Sequence, residues 1–353
     1  MAHSNLKLSF VIPNYNYADY VADAIDSALG LDWPDAEVIV VDDGSTDNSR
    51  TVIESYGSRI TALFKENAGQ FSAMNAGFER SRGDVVIFLD SDDYLDSSIA
   101  REIAAVWRPG VSKVQFQMHA VDAAGRSLGS VLPKYCGVPT PEQVRHWVQT
   151  TGAYPTPPGS GNAYSRDFLQ QVFPLDDSCG RAGDSYCIAA APYLGDVLTV
   201  PKPLVAYRVH GRNDGAQTEL DPLRFGREVT RAIQRFAYSQ RIARRVGIAV
   251  PDQAVFRSLS VLGYRIASLR LLPEVHPIPS DARVRILRDL IRGLSSPQGV
   301  GPLGKIILAV WTVTVALAPA SIVRKAVLWR FAPAARPKLL RFRPTRLAPI
   351  ARS

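Results

Sequence analysis

Cysteine is scarce in this chain of 353 residues, and the three that occur, Cys136, Cys179 and Cys187, form no CxxC pair. An odd number of widely spaced cysteines favours neither a disulfide framework nor a zinc site. An apolar leader is also missing, because the residues before Leu8 are polar and the first apolar run, Leu8–Pro13, has only the length of a strand. We therefore expect a protein that stays in the reducing cytoplasm.

Basic residues are few in the first part of the chain, and acidic residues are few in the last. Residues 1–221 contain 17 Lys and Arg against 28 Asp and Glu, whereas residues 222–353 contain 24 against 5. The hydrophobic fraction of 46% is high enough for a full core and argues against a disordered chain. An acidic front and a basic tail indicate that the two parts have different partners.

Residues 7–89 alternate apolar runs of strand length with amphipathic stretches of helix length. This alternation is typical of a parallel sheet wound with helices and predicts an α/β fold. The predicted strands are Leu8–Pro13, Glu37–Asp42, Ile60–Lys65 and Val85–Leu89, and the predicted helices lie near Tyr20–Leu29, Asp47–Tyr56 and Phe71–Arg80.

After residue 97 the pattern becomes less regular. A helix is predicted before Pro109, and a stretch rich in proline and glycine, Tyr154–Asn162, predicts a loop. Loops next to the carboxyl ends of parallel strands commonly hold ligands. Further short strands are predicted at Lys113–Val121, Ser127–Leu132, Val197–Val200 and Leu204–Val209.

The basic part of the chain has a helical pattern over residues 222–294. The first predicted helix there carries an apolar face beside a stripe of four arginines. The apolar segment Ile306–Val323 follows, and its 18 residues approach the length that crosses a bilayer, although threonines and Pro319 interrupt it. The arginines of the stripe are Arg224, Arg227, Arg231 and Arg235.

Nine Lys and Arg residues, without any acid, occupy residues 324–352. Anionic lipid attracts such a cluster by about 1 kcal/mol for each basic residue near the surface. We predict an in-plane or shallowly inserted helix that brings the protein to an anionic membrane surface, on the inner face of the cell membrane. The alternative is a helix packed on the α/β domain with a solvated basic end.

Carboxylates cluster where two predicted strands end. Asp90, Asp92 and Asp93 follow one apolar strand, and Asp42 and Asp43 follow another. The three clustered acids repel one another unless a cation or hydrogen bonds compensate them, and oxygen ligands suit Mg²⁺ or Mn²⁺. Neighbouring parallel strands end at the same edge of a sheet, so both groups should line one crevice. The alternative for the first group is an acidic turn before a helix cap.

The sequence resembles the family 2 glycosyltransferases of the GT-A fold, a Rossmann-like α/β fold, and the matching motifs occur in the same order. The resemblance implies a GT-A catalytic domain at residues 1–215, whereas the sequence pattern predicts a helical extension at 216–300 and an apolar helix with a basic tail at 301–353. The motifs are Ser9-Phe-Val-Ile-Pro-Asn-Tyr-Asn16, Val40-Val-Asp-Asp-Gly-Ser-Thr-Asp47, Asn67-Ala-Gly-Gln70, Asn75-Ala-Gly77 and Gly83-Asp-Val-Val-Ile-Phe-Leu-Asp-Ser-Asp-Asp93.

By this resemblance, the donor would be a nucleotide-diphosphate sugar, that is, a UDP-, GDP- or dTDP-linked sugar. Pro13, Tyr15 and Asp43 would contact its base and ribose. Asp90 and Asp92 would be the carboxylates of the family's DxD motif. The nucleotide-sugar site as a whole would comprise Pro13, Tyr15, Asp43, Asn67, Gly69, Gln70, Asn75, Asp90 and Ser91. The ligands of a Mn²⁺ or Mg²⁺ ion would be Asp92, Asp93 and His210.

The resemblance also implies that Asp184 is the general base, although this chain has Gly183 where many members have Glu. The acceptor side would include Gly161 and Asn162. Considered without the family, Asp184 could instead cap a helix. His210 could be a packing or surface residue, and the glycine-rich loop could be an ordinary surface loop.

Together these features predict an inverting glycosyltransferase that moves a sugar to a hydroxyl of a glycan or lipid-linked acceptor, in cell-surface polysaccharide or glycolipid biosynthesis. Two alternatives stay open. A sugar nucleotidyltransferase would share the sheet and the acids, but its glycine-rich, Arg-bearing loop near the first strand is missing. A nucleic-acid-binding protein would use the basic C-terminal region, but the acidic front argues against a nucleic-acid partner. No GxGxxG follows the first strand, which argues against a dehydrogenase.

Overall fold

The computed structural model describes residues 6–176, 183–211 and 220–332. Cys179, the junction at residues 216–219 and the basic tail from residue 333 onward lie outside these ranges. The two cysteines within them, Cys136 and Cys187, are free thiols.

Among the described residues, nine strands form one mixed sheet in the order β3, β2, β1, β4, β8, β6, β9, β5, with β7 paired to β6. The strands are β1 Leu8–Asn14, β2 Ala36–Asp42, β3 Thr61–Phe64, β4 Val85–Phe88, β5 Tyr94–Leu95, β6 Val111–Asp122, β7 Ser127–Leu132, β8 Asn162–Ser165 and β9 Asp196–Val209. The prediction of an α/β fold is confirmed.

The first four predicted strands are present, and β3, β2, β1 and β4 run parallel to one another. Apolar side chains of β1 and β2 face helices on both sides of the sheet, as expected for buried parallel strands. Because these strands are parallel, the residues that follow β1, β2 and β4 lie at one edge of the sheet. The helices of this part are α1 Val21–Leu29, α2 Ser49–Glu54, α3 Gln70–Arg80 and α4 Ile99–Val106.

The later strands differ from the predicted ones. The two short strands predicted at Val197–Val200 and Leu204–Val209 form one long strand, β9. One of its two prolines, Pro203, pairs with Gln117 of β6, where the register shifts. Such irregularities tolerate a residue that cannot donate a ladder hydrogen bond. Asn162, predicted at the end of a loop, is the first residue of β8.

The second part of the chain is helical. Three helices that follow β7 pack on the sheet, and five more form the extension. Helix α8 contacts both α7 and α9, so it joins the extension to the sheet domain. The helices are α5 Pro141–Thr151, α6 Arg166–Val172, α7 Gly183–Leu194, α8 Pro222–Arg245, α9 Leu259–Leu271, α10 Arg283–Ser295, α11 Pro302–Leu317 and α12 Ala320–Phe331.

The apolar segment Ile306–Val323 is not one helix, which corrects the sequence prediction. Helix α11 ends at Leu317 and α12 begins at Ala320, because Pro319 has no amide hydrogen to continue the first helix. Both helices pack on α9 in the extension. None of the helices in the described ranges combines the length and apolar character needed to cross a bilayer.

Candidate active site

A cleft of about 730 Å³ opens at the carboxyl ends of β1, β2 and β4. The strand ends form its floor, and helices α7 and α8 contribute to its walls. Ten of the residues singled out in the sequence line this cleft. They are Pro13, Tyr15, Asp43, Asn67, Gly69, Gln70, Asp90, Ser91, Asp92 and Asp184.

Asp43, just after β2, is buried and holds the next loop in place. Its carboxylate accepts hydrogen bonds from Lys65 Nζ at 2.5 Å, from the Gly69 amide at 2.7 Å and from the Ala68 amide. These bonds fix the amino end of α3 beside the end of β2. The Asp43 carboxylate therefore lies at the cleft in a fixed orientation.

Gly44, the residue after Asp43, has a φ of +74°, and a Cβ at this position would lie 2.7 Å from the Asn67 amide nitrogen. A side chain would be strained here and would also displace the loop, because the left-handed region favours glycine. The strand-to-helix turn therefore requires glycine at position 44.

Asp90, Asp92 and Asp93 form a tight acidic turn after β4, closed by a hydrogen bond from the Asp93 amide to the Asp90 carbonyl oxygen at 3.0 Å. Burial, together with the charges of Asp92 and Asp184, raises the pKa of Asp90 to about 8. Burial also raises the pKa of Asp93 well above its usual range, with the charges of Asp92 and Asp90 acting in the same direction. Negative charge is therefore poorly compensated at this strand end.

Asp93 faces away from the cleft, toward β9. Its Oδ1 accepts a hydrogen bond from the Arg208 amide at 3.0 Å, while its Oδ2 is buried without a hydrogen-bond partner. The Arg208 guanidinium donates to the Asp92 carbonyl oxygen at 2.8 Å and binds Asp23. Arg208 thus holds the backbone of the acidic turn from behind.

His210 lies behind Asp92, with Nε2 2.9 Å from Oδ2 of the carboxylate. Its ring stacks on Tyr20 at a centroid distance of 5.0 Å and meets the edge of Tyr17. The side chain is 5% exposed. His210 is thus neither a surface residue nor a wall of the cleft, and it fixes the orientation of Asp92.

Asp184 lies in the first turn of α7 and accepts a hydrogen bond from the Ser185 amide at 2.7 Å. Burial raises the pKa of this carboxyl group. A Cβ placed on Gly159 would lie 3.2 Å from Oδ2 of Asp184 and 3.4 Å from Oδ2 of Asp90. The carboxylates of Asp184 and Asp90 therefore both lie close to Gly159, which has no side chain to separate them.

Besides Asp93 and His210, three more predicted site residues support the cleft from outside it. The Asn75 side chain donates to and accepts from the backbone of Leu175, with both bonds at 2.9 Å. Asn162 donates to the Pro158 carbonyl oxygen at 2.8 Å. A Cβ on Gly161 would meet the ring of Pro157 at 2.5 Å. Asn162 and Gly161 thus shape the wall to which Pro158 and Gly159 belong, without lining the cleft.

Sequence reasoning missed a buried lysine next to this wall. Lys113 of β6 is fully buried and donates to Gln115, Thr156 and Asn162 at 2.8 to 3.0 Å. Burial lowers its pKa well below the usual range. A single lysine at the start of a predicted strand carries no signal of such a position in the sequence.

Three residues of α8 line the cleft as well, namely Arg224, Glu228 and Arg231. Arg231 and Glu228 form an ion pair at 2.9 Å. The stripe of arginines was visible in the sequence, but its position opposite the acidic strand ends was not. The helical extension therefore contributes charged groups to the same site.

The acidic turn fits a divalent cation that is completed by a ligand. No group of three or more His, Cys, Asp or Glu side chains converges into a ready metal cage within the described residues. Mg²⁺ and Mn²⁺ commonly bind through one or two carboxylates and the phosphates of a substrate. Asp92, supported by His210, offers such a carboxylate, and the mutual repulsion of Asp90, Asp92 and Asp93 favours a cation nearby.

Residues 9–173 match the model of glycosyl transferase family 2. An uncharacterized glycosyltransferase of Nostoc sp. is 37% identical over 216 residues, which cover 59% of this chain and 66% of that protein. TuaG of Bacillus subtilis, named for teichuronic acid biosynthesis, is 41% identical over 90 residues, which cover 24% of this chain and 36% of TuaG. The chain thus spans somewhat under two thirds of the Nostoc protein.

Solved structures share the fold over most of the chain. S. aureus TarS 1–349 in complex with UDP-GlcNAc superposes with a TM-score of 0.52 at 16% identity, covering 92% of this chain and 91% of TarS 1–349. The mannosyltransferase PcManGT from Pyrobaculum calidifontis in complex with GDP-Man and Mn²⁺ superposes with a TM-score of 0.50 at 18% identity, covering 95% and 88%. At this identity the likeness shows the fold alone.

Proposed function

Because residues 9–173 match the model of glycosyl transferase family 2, we propose that this protein is an inverting glycosyltransferase that moves a sugar from a nucleotide-diphosphate donor to an acceptor hydroxyl. One observation carries the proposal. Carboxylates from separate strand ends and from α7, namely Asp43, Asp90, Asp92 and Asp184, line a single cleft.

The donor would lie across the strand ends. Pro13, Tyr15 and Asp43 would contact the base and ribose, with Asn67, Gly69 and Gln70 from the loop that Asp43 supports. Asp90 and Ser91 would lie next to the ribose and sugar. UDP-GlcNAc in TarS and GDP-Man in the mannosyltransferase support a nucleotide sugar as donor. The chain's own donor would be a UDP-, GDP- or dTDP-linked sugar.

Mn²⁺ or Mg²⁺ would be held by Asp92 and the donor diphosphate, as Mn²⁺ in the mannosyltransferase complex supports. When bound, the ion would neutralise charge on the leaving diphosphate. His210 would fix the Asp92 carboxylate through the 2.9 Å contact. Asp93, which faces Arg208, would hold the acidic turn in place next to the ion.

Asp184 would act as the general base. The acceptor hydroxyl oxygen would bond to the anomeric carbon, the bond to the diphosphate oxygen would break, and the hydroxyl proton would pass to Asp184. A raised pKa suits this role, because it makes the carboxylate a better proton acceptor at neutral pH. One displacement from the face opposite the nucleotide inverts the anomeric centre.

The acceptor would be a glycan or a lipid-linked glycan of cell-surface polysaccharide or glycolipid biosynthesis, at the inner face of the cell membrane. The name of the Bacillus subtilis relative, teichuronic acid biosynthesis, supports this class of product. The wall formed by Pro158 and Gly159, with Gly161 and Asn162 behind it, would face the acceptor.

A screen of UDP-, GDP- and dTDP-sugars with Mn²⁺ tests this function. One donor class should raise the melting temperature, because a ligand that binds only the native state stabilises it. NMR of the product formed with that donor should show the inverted anomer. Stabilisation by no nucleotide sugar, or a product with retained configuration, would overturn the proposal.

A further inference from the structure

Helix α11 presents an apolar stripe to solvent. Its opposite face, with Val315 and Ala316, is fully buried in the core of the extension. The stripe residues are 39% to 70% exposed and recur at the spacing of one helix face. The residues of the α11 stripe are Leu303, Ile306, Ile307, Val310, Val313 and Leu317.

Exposed basic residues occur on the two helices next to α11. Helices α10 and α12 both pack against α11. From residue 283 to residue 332 the single acidic residue is Asp289, which is 7% exposed and forms an ion pair with the buried Arg265 at 3.1 Å. Helices α10, α11 and α12 therefore carry positive charge without an exposed acid. The exposed basic residues are Arg283, Arg285, Arg288 and Arg292 on α10, and Arg324 and Lys325 on α12.

We propose that the α11 stripe inserts into the interfacial region of an anionic bilayer while the basic residues of α10 and α12 contact lipid headgroups. A helix with one apolar face lies in the plane of the membrane, at the boundary between headgroups and acyl chains, and nearby Lys and Arg bind anionic lipid. This inference deepens the proposed function, since it names the surface that would bring the enzyme to its acceptors.

Charge and apolarity together favour a bilayer over two other occupants. A nucleic acid would match the basic residues but would leave six large apolar side chains in water. A second copy of this chain would cover the stripe but would bring two sets of exposed arginines together, which repel. Of these three occupants, an anionic bilayer is the one that satisfies both features of the surface.

A cavity of about 530 Å³ borders the amino-terminal end of the stripe. Leu303 and Leu308 form one part of its wall, and Tyr154 and Thr156 form another. The segment with Tyr154 and Thr156 continues to Pro158 and Gly159, which line the cleft. The bilayer contact thus lies next to the chain segment that would face the acceptor.

Flotation of the whole chain with lipid vesicles tests the inference, without any nucleotide sugar present. The protein should float with vesicles of phosphatidylcholine and phosphatidylglycerol, and should stay behind with phosphatidylcholine alone. The double variant Ile307→Ser/Val310→Ser should reduce the bound fraction by about tenfold. Val138→Ser, at a site 53% exposed outside the stripe, should float like the wild type.

Charge variants form the second arm. Arg285→Gln/Arg288→Gln should lower the fraction of protein that floats and should make that fraction less sensitive to salt. The control Arg80→Gln/Arg82→Gln, on exposed residues of the sheet domain, should change neither. Wild-type flotation by the stripe variant would overturn the inference. The inference would also be overturned if light scattering showed dimers that the stripe variant abolishes. RNA binding without flotation would overturn it as well. Because the substituted residues lie outside the cleft, a protein that floats but transfers no sugar would refute only the proposed function.

Discussion

Nε2 of His210 lies 2.9 Å from Oδ2 of Asp92, across 118 positions of the chain. The acidic turn after β4 is thereby tied to the end of β9, and Arg208 strengthens this tie by donating to the Asp92 carbonyl oxygen. The end of β9 therefore sets the orientation of the Asp92 carboxylate, which is proposed to hold the cation.

His210→Ala should lower metal-linked affinity for the donor by about tenfold or more, because an outer partner that orients a ligand affects metal binding to that extent. Titration with Mn²⁺ at fixed donor would measure the change. His146→Ala, a substitution in α5 away from the cleft, provides the control. An unchanged Mn²⁺ requirement in His210→Ala would show that Asp92 needs no such support.

Asp184→Asn should reduce the rate of transfer by roughly 10² to 10⁴, because the acceptor hydroxyl loses its proton acceptor while the donor site stays intact. Transfer rates and donor affinity should be measured side by side. Asp167→Asn, at an exposed aspartate in the first turn of α6, serves as the matched control. Transfer at the wild-type rate by Asp184→Asn would remove this residue from the chemistry.

The pH dependence of stability should report the unfavourable burial of charge in the acidic turn. The pKa of Asp90 is raised from 3.8 to about 8 in the folded protein, so the native state binds this proton more tightly than the unfolded state does. The contribution of Asp90 to stability is therefore lost as the pH rises from about 4 to about 8. Asp90→Asn should flatten this decline in urea unfolding without ligand, at the cost of activity. An equally steep decline in the variant would contradict the assigned cause.

Gly159→Ala should impair transfer far more than it impairs folding. The added methyl would lie 3.2 Å from Asp184 and 3.4 Å from Asp90, so it would push the two carboxylates apart in the cleft. A displacement of this kind should cost about tenfold or more in rate. Gly226→Ala, where the new Cβ meets its neighbours at 3.5 Å or more, should leave the rate unchanged. Full activity of Gly159→Ala would argue against a close approach of the two acids.

Much of the donor side could be predicted from the sequence. Parallel strands end at one edge of a sheet, so strand-end acids such as Asp43 and Asp90 could be placed together before the structure was known. The same reasoning could not separate residues that line the cleft from residues that support it. Asn75 holds Leu175, which lies 100 positions away, and nothing local in the sequence specifies that contact.

The contribution of the extension could not be predicted for a related reason. Arg224 and Arg231 were visible as a helical stripe, but their entry into the cleft depends on how α8 packs on α7, where Tyr186 and Tyr238 meet at a centroid distance of 4.9 Å. The apolar face of α11 was hidden as well. Which side of an apolar helix is buried depends on its packing partners, and Pro319 divides the segment that reads as continuous.

Donor binding through a cation at the acidic turn is the central step of the proposed mechanism. Calorimetry of the matching nucleotide sugar, with and without Mn²⁺, tests this link on the wild type and on Asp92→Ala. We predict that the wild type binds the donor tightly only with Mn²⁺, and that Asp92→Ala binds it weakly whether or not Mn²⁺ is present. Donor affinity that is independent of Mn²⁺ in the wild type, or unchanged by Asp92→Ala, would contradict the account.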